Sequence, residues 1–130
     1  MQTQVVNMSK TSYRKGVRLE YELKELLEAD GFFVVRSAGS HGPADLVALK
    51  DGEILLVQVQ NNGHLPKWKE DALKLAAKRA GGWGYFAYKV KGVWHLRQVY
   101  PEEHVTGTLE ASGRWCQQVP WLDLRKVLRS

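Results

Sequence analysis

The stretch Asp45-Leu-Val-Ala-Leu-Lys50-Asp51-Gly52-Glu53-Ile-Leu-Leu-Val-Gln58-Val-Gln60 restricts the fold of this chain more than any other. Two apolar runs flank Asp51-Gly52, a dipeptide that favours a two-residue type I′ turn because both central residues must take a positive φ. The expected result is a tight hairpin in which opposed residue numbers sum to 103, so that Lys50 faces Glu53, Val47 faces Leu56 and Asp45 faces Gln58. Directly opposed side chains lie roughly 4.5–5.5 Å apart at Cβ. Gln60 shares the face of Gln58. Strands buried on both faces read as continuous apolar runs. Here Leu55, Val57 and Val59 take one face, while Ile54, Leu56, Gln58 and Gln60 take the other. Two glutamines closing such a run need hydrogen-bond partners or a place at the exposed end of the sheet.

Around this hairpin the chain divides readily. Residues 1–11 are polar and aperiodic and read as a flexible N-terminal arm. Residues 12–30 read as a helix, with Leu19, Leu23, Leu26 and Leu27 on one face and Gly31 as its stop. Phe32–Arg36 is a strand, and the small, turn-prone residues 37–44 form a loop. Asn61-Asn62-Gly63 ends the hairpin. Pro66 opens a second helix that runs to about Arg79, with Trp68, Ala72, Leu75 and Ala76 on one side, and Gly81-Gly82 closes it. A second hairpin, 84–90 and 93–99, turns at Lys91-Gly92. The order α-β-β-β-α-β-β predicts an α/β core over 12–100, a mixed central sheet flanked by helices. Residues 101–130 form a C-terminal extension packed on that core, in which Leu122, Leu124, Val127 and Leu128 suit a short helix.

With 130 residues, a single domain is expected. A net charge of +5 and a pI of about 9.4 favour a polyanionic partner. No run of 18 apolar residues is present, so no membrane span is expected. The N-terminus lacks the pattern of a signal peptide, and the single cysteine, Cys116, has no internal disulfide partner. Both features suit a cytoplasmic protein. The histidines His41, His64, His95 and His104 lack zinc-ligand spacing, and neither a nucleotide-binding glycine loop nor a nucleophile elbow occurs.

The chemistry concentrates in a few residues. Glu20 stands three residues before Leu23 and seven before Leu27, at the edge of the buried helix stripe. A carboxylate there needs compensation. It either shares a hard cation with Asp45 or is solvated beside Glu22, Lys24 and Glu25. Asp45 either joins that cation or satisfies loop amides. Magnesium takes oxygen ligands and needs only one or two protein carboxylates. An acid followed by two polar groups on one sheet face is the arrangement on which metal-dependent nucleases carry their chemistry. Arg14, Lys15, Arg18 and Arg36, the small residues Gly39 and Ser40, and the basic second helix with Lys67, Lys69, Lys74, Lys78 and Arg79 suit phosphate contacts or a solvated face.

Over about residues 12–100 the chain resembles the archaeal-type Holliday junction resolvases. The resemblance is carried by Ser12-Tyr13-Arg14-Lys15-Gly16 with Glu20 following, by Val34-Val35-Arg36-Ser37-Ala38-Gly39-Ser40, by Ala44-Asp45-Leu46-Val47-Ala48, by Val57-Gln58-Val59-Gln60 and by Gly81-Gly82. It implies a restriction-endonuclease-like fold of the superfamily named for its Pro-Asp, Asp/Glu-x-Lys motif. It also implies a homodimer that cuts four-way DNA junctions symmetrically with Mg2+ (Mn2+ as a substitute) and no small-molecule cofactor. By the same resemblance Glu20 and Asp45 would hold the metal. Gln58 stands where the family has an acidic metal ligand, and Gln60 where it has a lysine. Ser40 would sit near the scissile phosphate. Arg14 and Arg36 would bind the DNA backbone, joined by Lys15, Ser37, His41, Lys67 and Lys69. Lys67 or Lys69 is the nearest stand-in for the missing lysine. The other readings are a non-catalytic junction-binding protein of the same fold and a nuclease for other branched or duplex DNA.

Overall fold

A computed structural model describes residues 2–37, 42–101 and 106–109. Its elements are α1 (Gln2–Ala29), β1 (Phe33–Arg36), β2 (Leu46–Lys50), β3 (Glu53–Gln60), α2 (Lys67–Ala80), β4 (Trp83–Val90), β5 (Val93–Tyr100) and β6 (Thr106–Leu109). The strands form one sheet in the order β1-β2-β3-β4-β5-β6. Only β3 and β4 run parallel, joined by the α2 crossover; the other neighbours are antiparallel. The sheet is therefore mixed, as expected, with β6 added beyond the predicted core. α1 begins at Gln2 rather than near residue 12, so the stretch read as an arm has helical backbone. The terminal helix expected at Leu122–Leu128, and Cys116, lie outside the described residues.

Both hairpins turn as their dipeptides dictate. Asp51 and Gly52 have φ of 52° and 81°, and Lys91 and Gly92 have φ of 49° and 80°, the paired positive values of a type I′ turn. The first hairpin keeps the expected register from Lys50↔Glu53 to Leu46↔Val57. Because β3 lies inside the sheet, both of its faces are covered. Leu55, Val57 and Val59 pack with Leu19, Leu23 and Leu27 of α1. On the opposite face Leu56 packs with Leu73, Ala77 and Phe86 under α2.

The buried face of α2 is not the side that carries Trp68 and Leu75. Leu73 and Ala77 are its buried residues, while Trp68 and Leu75 are exposed. The cause lies on β4. A Cβ built on Gly84 would sit 3.4 Å from both Leu73 and Ala77, so the missing side chain lets this stripe of α2 settle onto the strand. Phe86 is buried beneath α2, and Trp83 packs against the core on the α1 side.

α2 ends at Gly81, whose left-handed backbone (φ 68°, ψ 29°) caps the helix, and Gly82 then donates its N–H to Ala77 O. Gly82 passes directly over the start of β3. A Cβ there would lie 2.5 Å from Ile54 O and 2.9 Å from Ile54 Cβ. Gly82→Ala is expected to destabilise the fold by about 1–3 kcal/mol, the usual cost of overpacking. The measurement is a lower urea midpoint at unchanged slope; an unchanged midpoint would show that the α2–β4 link yields freely.

Candidate active site

The site forms where β1 and β2 meet the loop between them. Glu20 reaches this end from the edge of the α1 stripe, and Arg36 comes from the last position of β1. Arg36 Nε donates to Glu20 Oε1 at 2.9 Å, and the pair is largely buried. The Arg36 guanidinium also lies 4.7 Å from the Tyr21 ring centroid. Sixteen residues separate Glu20 and Arg36 in sequence, so helix spacing alone cannot reveal the contact.

Asp45 immediately precedes β2. Its carbonyl accepts the Ser37 N–H at 2.8 Å, continuing the β1–β2 ladder. Toward β3 it leaves the regular register: its N–H donates to Val57 O, and its Oδ2 accepts the Val59 N–H, each at 2.8 Å. Asp45 thus brackets Gln58 on the β3 backbone. The aspartate side chain replaces a main-chain acceptor, which pins its carboxylate against the strand.

Burial dominates the electrostatics of the two carboxylates. Glu20, Asp45 and Gln58 are only 6%, 3% and 5% exposed. Burial holds the Glu20 carboxyl above its ordinary range. The nearby Asp45 charge pushes it further up, against the opposing charge and hydrogen bond of Arg36. Burial likewise raises Asp45, opposed by the Val59 hydrogen bond and the charges of Lys69 and Arg36. Two desolvated carboxylates within electrostatic reach of each other are oxygen donors of the kind a hard divalent cation takes. Among the described residues no group of three or more Asp, Glu, His or Cys side chains gathers.

The other expected site residues divide as follows. Ser37 meets Asp45 through its backbone. Gln60 ends β3 half-buried, level with Tyr88 of β4. Lys69, in the first turn of α2, projects its charge onto Asp45. Lys67 instead forms an exposed ion pair with Asp71 at 2.7 Å. Arg14 and Lys15 are exposed on α1, upstream of Glu20. Ser40 and His41 lie outside the described residues. Sequence reasoning missed Tyr21 and the Val59 N–H. Tyr21 is the neighbour of Glu20, a signal that becomes legible only once Arg36 is known to lie there.

Comparisons with known proteins agree with this architecture. The profile of the archaeal Holliday junction resolvase (Hjc) family matches residues 11–127. A crossover junction endodeoxyribonuclease Hjc from Methanocaldococcus jannaschii is 44% identical over 84 residues, a stretch that spans 62% of this chain and 62% of that relative. The solved structure of Archaeoglobus fulgidus Hjc, a Holliday junction resolvase from an archaeal hyperthermophile, superposes with a TM-score of 0.57 at 25% identity. It covers 82% of this chain and 88% of that one. This chain belongs to the archaeal Holliday junction resolvase family.

Proposed function

We propose that the chain is a structure-specific endodeoxyribonuclease that hydrolyses phosphodiester bonds in four-way DNA junctions, with Mg2+ as the metal and Mn2+ as a substitute. The carrying observation is the convergence of two buried carboxylates, Glu20 and Asp45, both raised by burial and sharing the charge of Arg36. Glu20, Asp45 and the Gln58 carbonyl oxygen would hold the cation. When bound, such an ion polarises the phosphate and makes a coordinated water more acidic. The chain's own residues do the rest. The Val59 N–H fixes the Asp45 carboxylate, and Arg36 orients Glu20. Gln60 offers an amide that orients water without carrying charge, and Ser40, outside the described residues, is the proposed hydroxyl near the scissile phosphate.

Arg14, Lys15, Ser37, His41, Lys67 and Lys69 are the proposed DNA contacts, supported by the net charge of +5. A junction has two-fold symmetry, so symmetric cutting calls for a homodimer with two such sites. A DNA substrate also implies action inside the cell. The second reading, a junction-binding protein without turnover, is favoured by Gln58 and Gln60, which remove a metal-ligand charge and a catalytic ammonium together.

The test uses end-labelled four-way junctions and matched linear duplex with Mg2+, Mn2+ or chelator. Symmetric, metal-dependent nicks confined to the junction are the expected result. Tight binding without cutting would establish the second reading, and equal cutting of linear duplex would remove junction specificity. Binding is expected to weaken steeply with salt, because phosphate contacts release counterions.

A further inference from the structure

The site lacks an ammonium group on β3, and one neighbouring lysine stands where it can supply it. Leu55 of β3 lies beside Trp83 of β4, the first residue after the α2 crossover. α2 therefore ends near the start of β3, and its first turn lies near the other end, at Gln58 and Gln60. Pro66 and the buried Leu65 anchor that turn; the Lys69 and Glu70 N–H groups both donate to Pro66 O at 3.0 Å.

The remaining basic groups near α2 are otherwise engaged or distant. Lys67 pairs with Asp71 at 2.7 Å. Lys74 and Arg97 both engage Glu70, at 3.4 Å and 3.2 Å, so that carboxylate is already shared and does not neutralise its neighbour Lys69. Lys78 and Arg79 are in the last turn, at the far end of the helix. Lys69 is half-buried and has no carboxylate within ion-pair distance among the described residues. Its ammonium lies 5.5 Å from the ring of exposed Trp68, and its charge acts on Asp45.

We propose that Lys69 is the catalytic ammonium of this chain, supplied by the α2 first turn in place of the strand residue Gln60. The proposal rests on the hydrolytic reading above. Lys69 contributes a standing positive charge at a non-bridging oxygen of the scissile phosphate, where negative charge grows as the attacking oxygen approaches. A water oxygen bonds to phosphorus, the bond from phosphorus to the 3′-oxygen breaks, and the water proton passes through solvent to that 3′-oxygen. One water is consumed, and nothing is oxidised or reduced.

The test is single-turnover cleavage of a labelled four-way junction in Mg2+, alongside equilibrium junction binding and a circular-dichroism melt of each variant. Lys69→Met is expected to slow cleavage by about 10²–10³-fold, the usual cost of removing one transition-state donor. Its junction affinity should stay within a few-fold of the parent and its melt should be unchanged. Lys78→Met, at the far end of α2, should cut like the parent. Adding Gln60→Lys to Lys69→Met should restore at least about tenfold of the loss, because the ammonium returns from the strand side. Lys69 is refuted as the catalytic group if Lys69→Met cuts at the parental rate, if its affinity falls in proportion to its rate, or if Gln60→Lys restores nothing to a folded Lys69→Met. A parent that binds junctions yet never cuts them overturns the hydrolytic reading and this proposal together, whereas a parent that cuts while Lys69→Met cuts equally overturns this proposal alone.

Discussion

Asp45→Asn is expected to abolish junction cleavage and, in chelator, to make the protein more resistant to heat. The first effect follows from the loss of a charged metal ligand. A metal's stabilisation of the transition state is worth several kcal/mol, so cleavage should fall by about 10³-fold or more. Junction binding depends mainly on phosphate contacts and should change little.

The second effect follows from the direction of the carboxyl shift. Burial raises the Asp45 pKa above its usual 3.8, so the folded protein holds that proton more tightly than the unfolded chain does. As pH rises from the unfolded value through the folded one, the folded state must ionise a desolvated group, and stability is lost. At neutral pH the metal-free protein therefore carries a penalty that asparagine removes, while the asparagine Oδ1 still accepts the Val59 N–H. Glu20 shifts in the same direction and for the same leading reason. In chelator, the parental melting temperature should decline as pH climbs above about 4, and the variant should decline less. Adding Mg2+ should raise the parental melt and leave that of Asp45→Asn nearly unmoved. A destabilised variant with an unaltered Mg2+ shift would refute the assigned role.

Much of this architecture could be read from local pattern. The α1 stripe at Leu19, Leu23 and Leu27 needs only helical spacing, and the β2–β3 register needs only the turn at Asp51-Gly52 and the alternation of the strands. What escaped depends on distant partners. α2 carries two overlapping small or apolar stripes, one through Trp68, Ala72 and Leu75 and another through Leu73 and Ala77. Gly84, on a later strand, decides between them. The start of α1 escaped because the sequence of residues 1–11 carries no apolar periodicity to mark a helix.

The candidate site was legible to the same degree. Turn arithmetic carried the ladder correctly as far as Leu46↔Val57, but it propagates a regular ladder and could not foresee that Asp45, one residue further, would donate its N–H to Val57 O and take the Val59 N–H on its carboxylate. Nor could it foresee that Arg36, a basic residue entering a phosphate-like loop, would first engage Glu20. Buried ion pairs between elements far apart in sequence follow from the three-dimensional packing. For this reason the carboxylate positions were found from sequence before their electrostatic environment was.

Gln58→Glu is expected to move the two forms of the protein in opposite directions. Gln58 is buried beside Asp45, and Asp45 and Glu20 already raise the cost of ionising the site. A third carboxylate would add its own desolvation and repel both neighbours, so in chelator the melting temperature should fall, and more steeply as pH rises. With Mg2+ the same charge becomes attractive. Opposite unit charges about 4 Å apart gain roughly 4 kcal/mol at the effective dielectric of a protein surface, part of which offsets desolvation. The Mg2+ concentration that half-saturates the thermal shift should therefore drop by about tenfold or more, since about 1.4 kcal/mol corresponds to a factor of ten. Cleavage should be kept or raised. If metal affinity rises while a folded variant stops cutting, the neutral amide is itself needed, and the glutamine is part of the chemistry rather than a weakened copy of an acid. Gln58→Glu probes the negative side of the site and Lys69→Met the positive side. An independent response to each would mean that the two glutamines of β3 changed separable parts of one reaction.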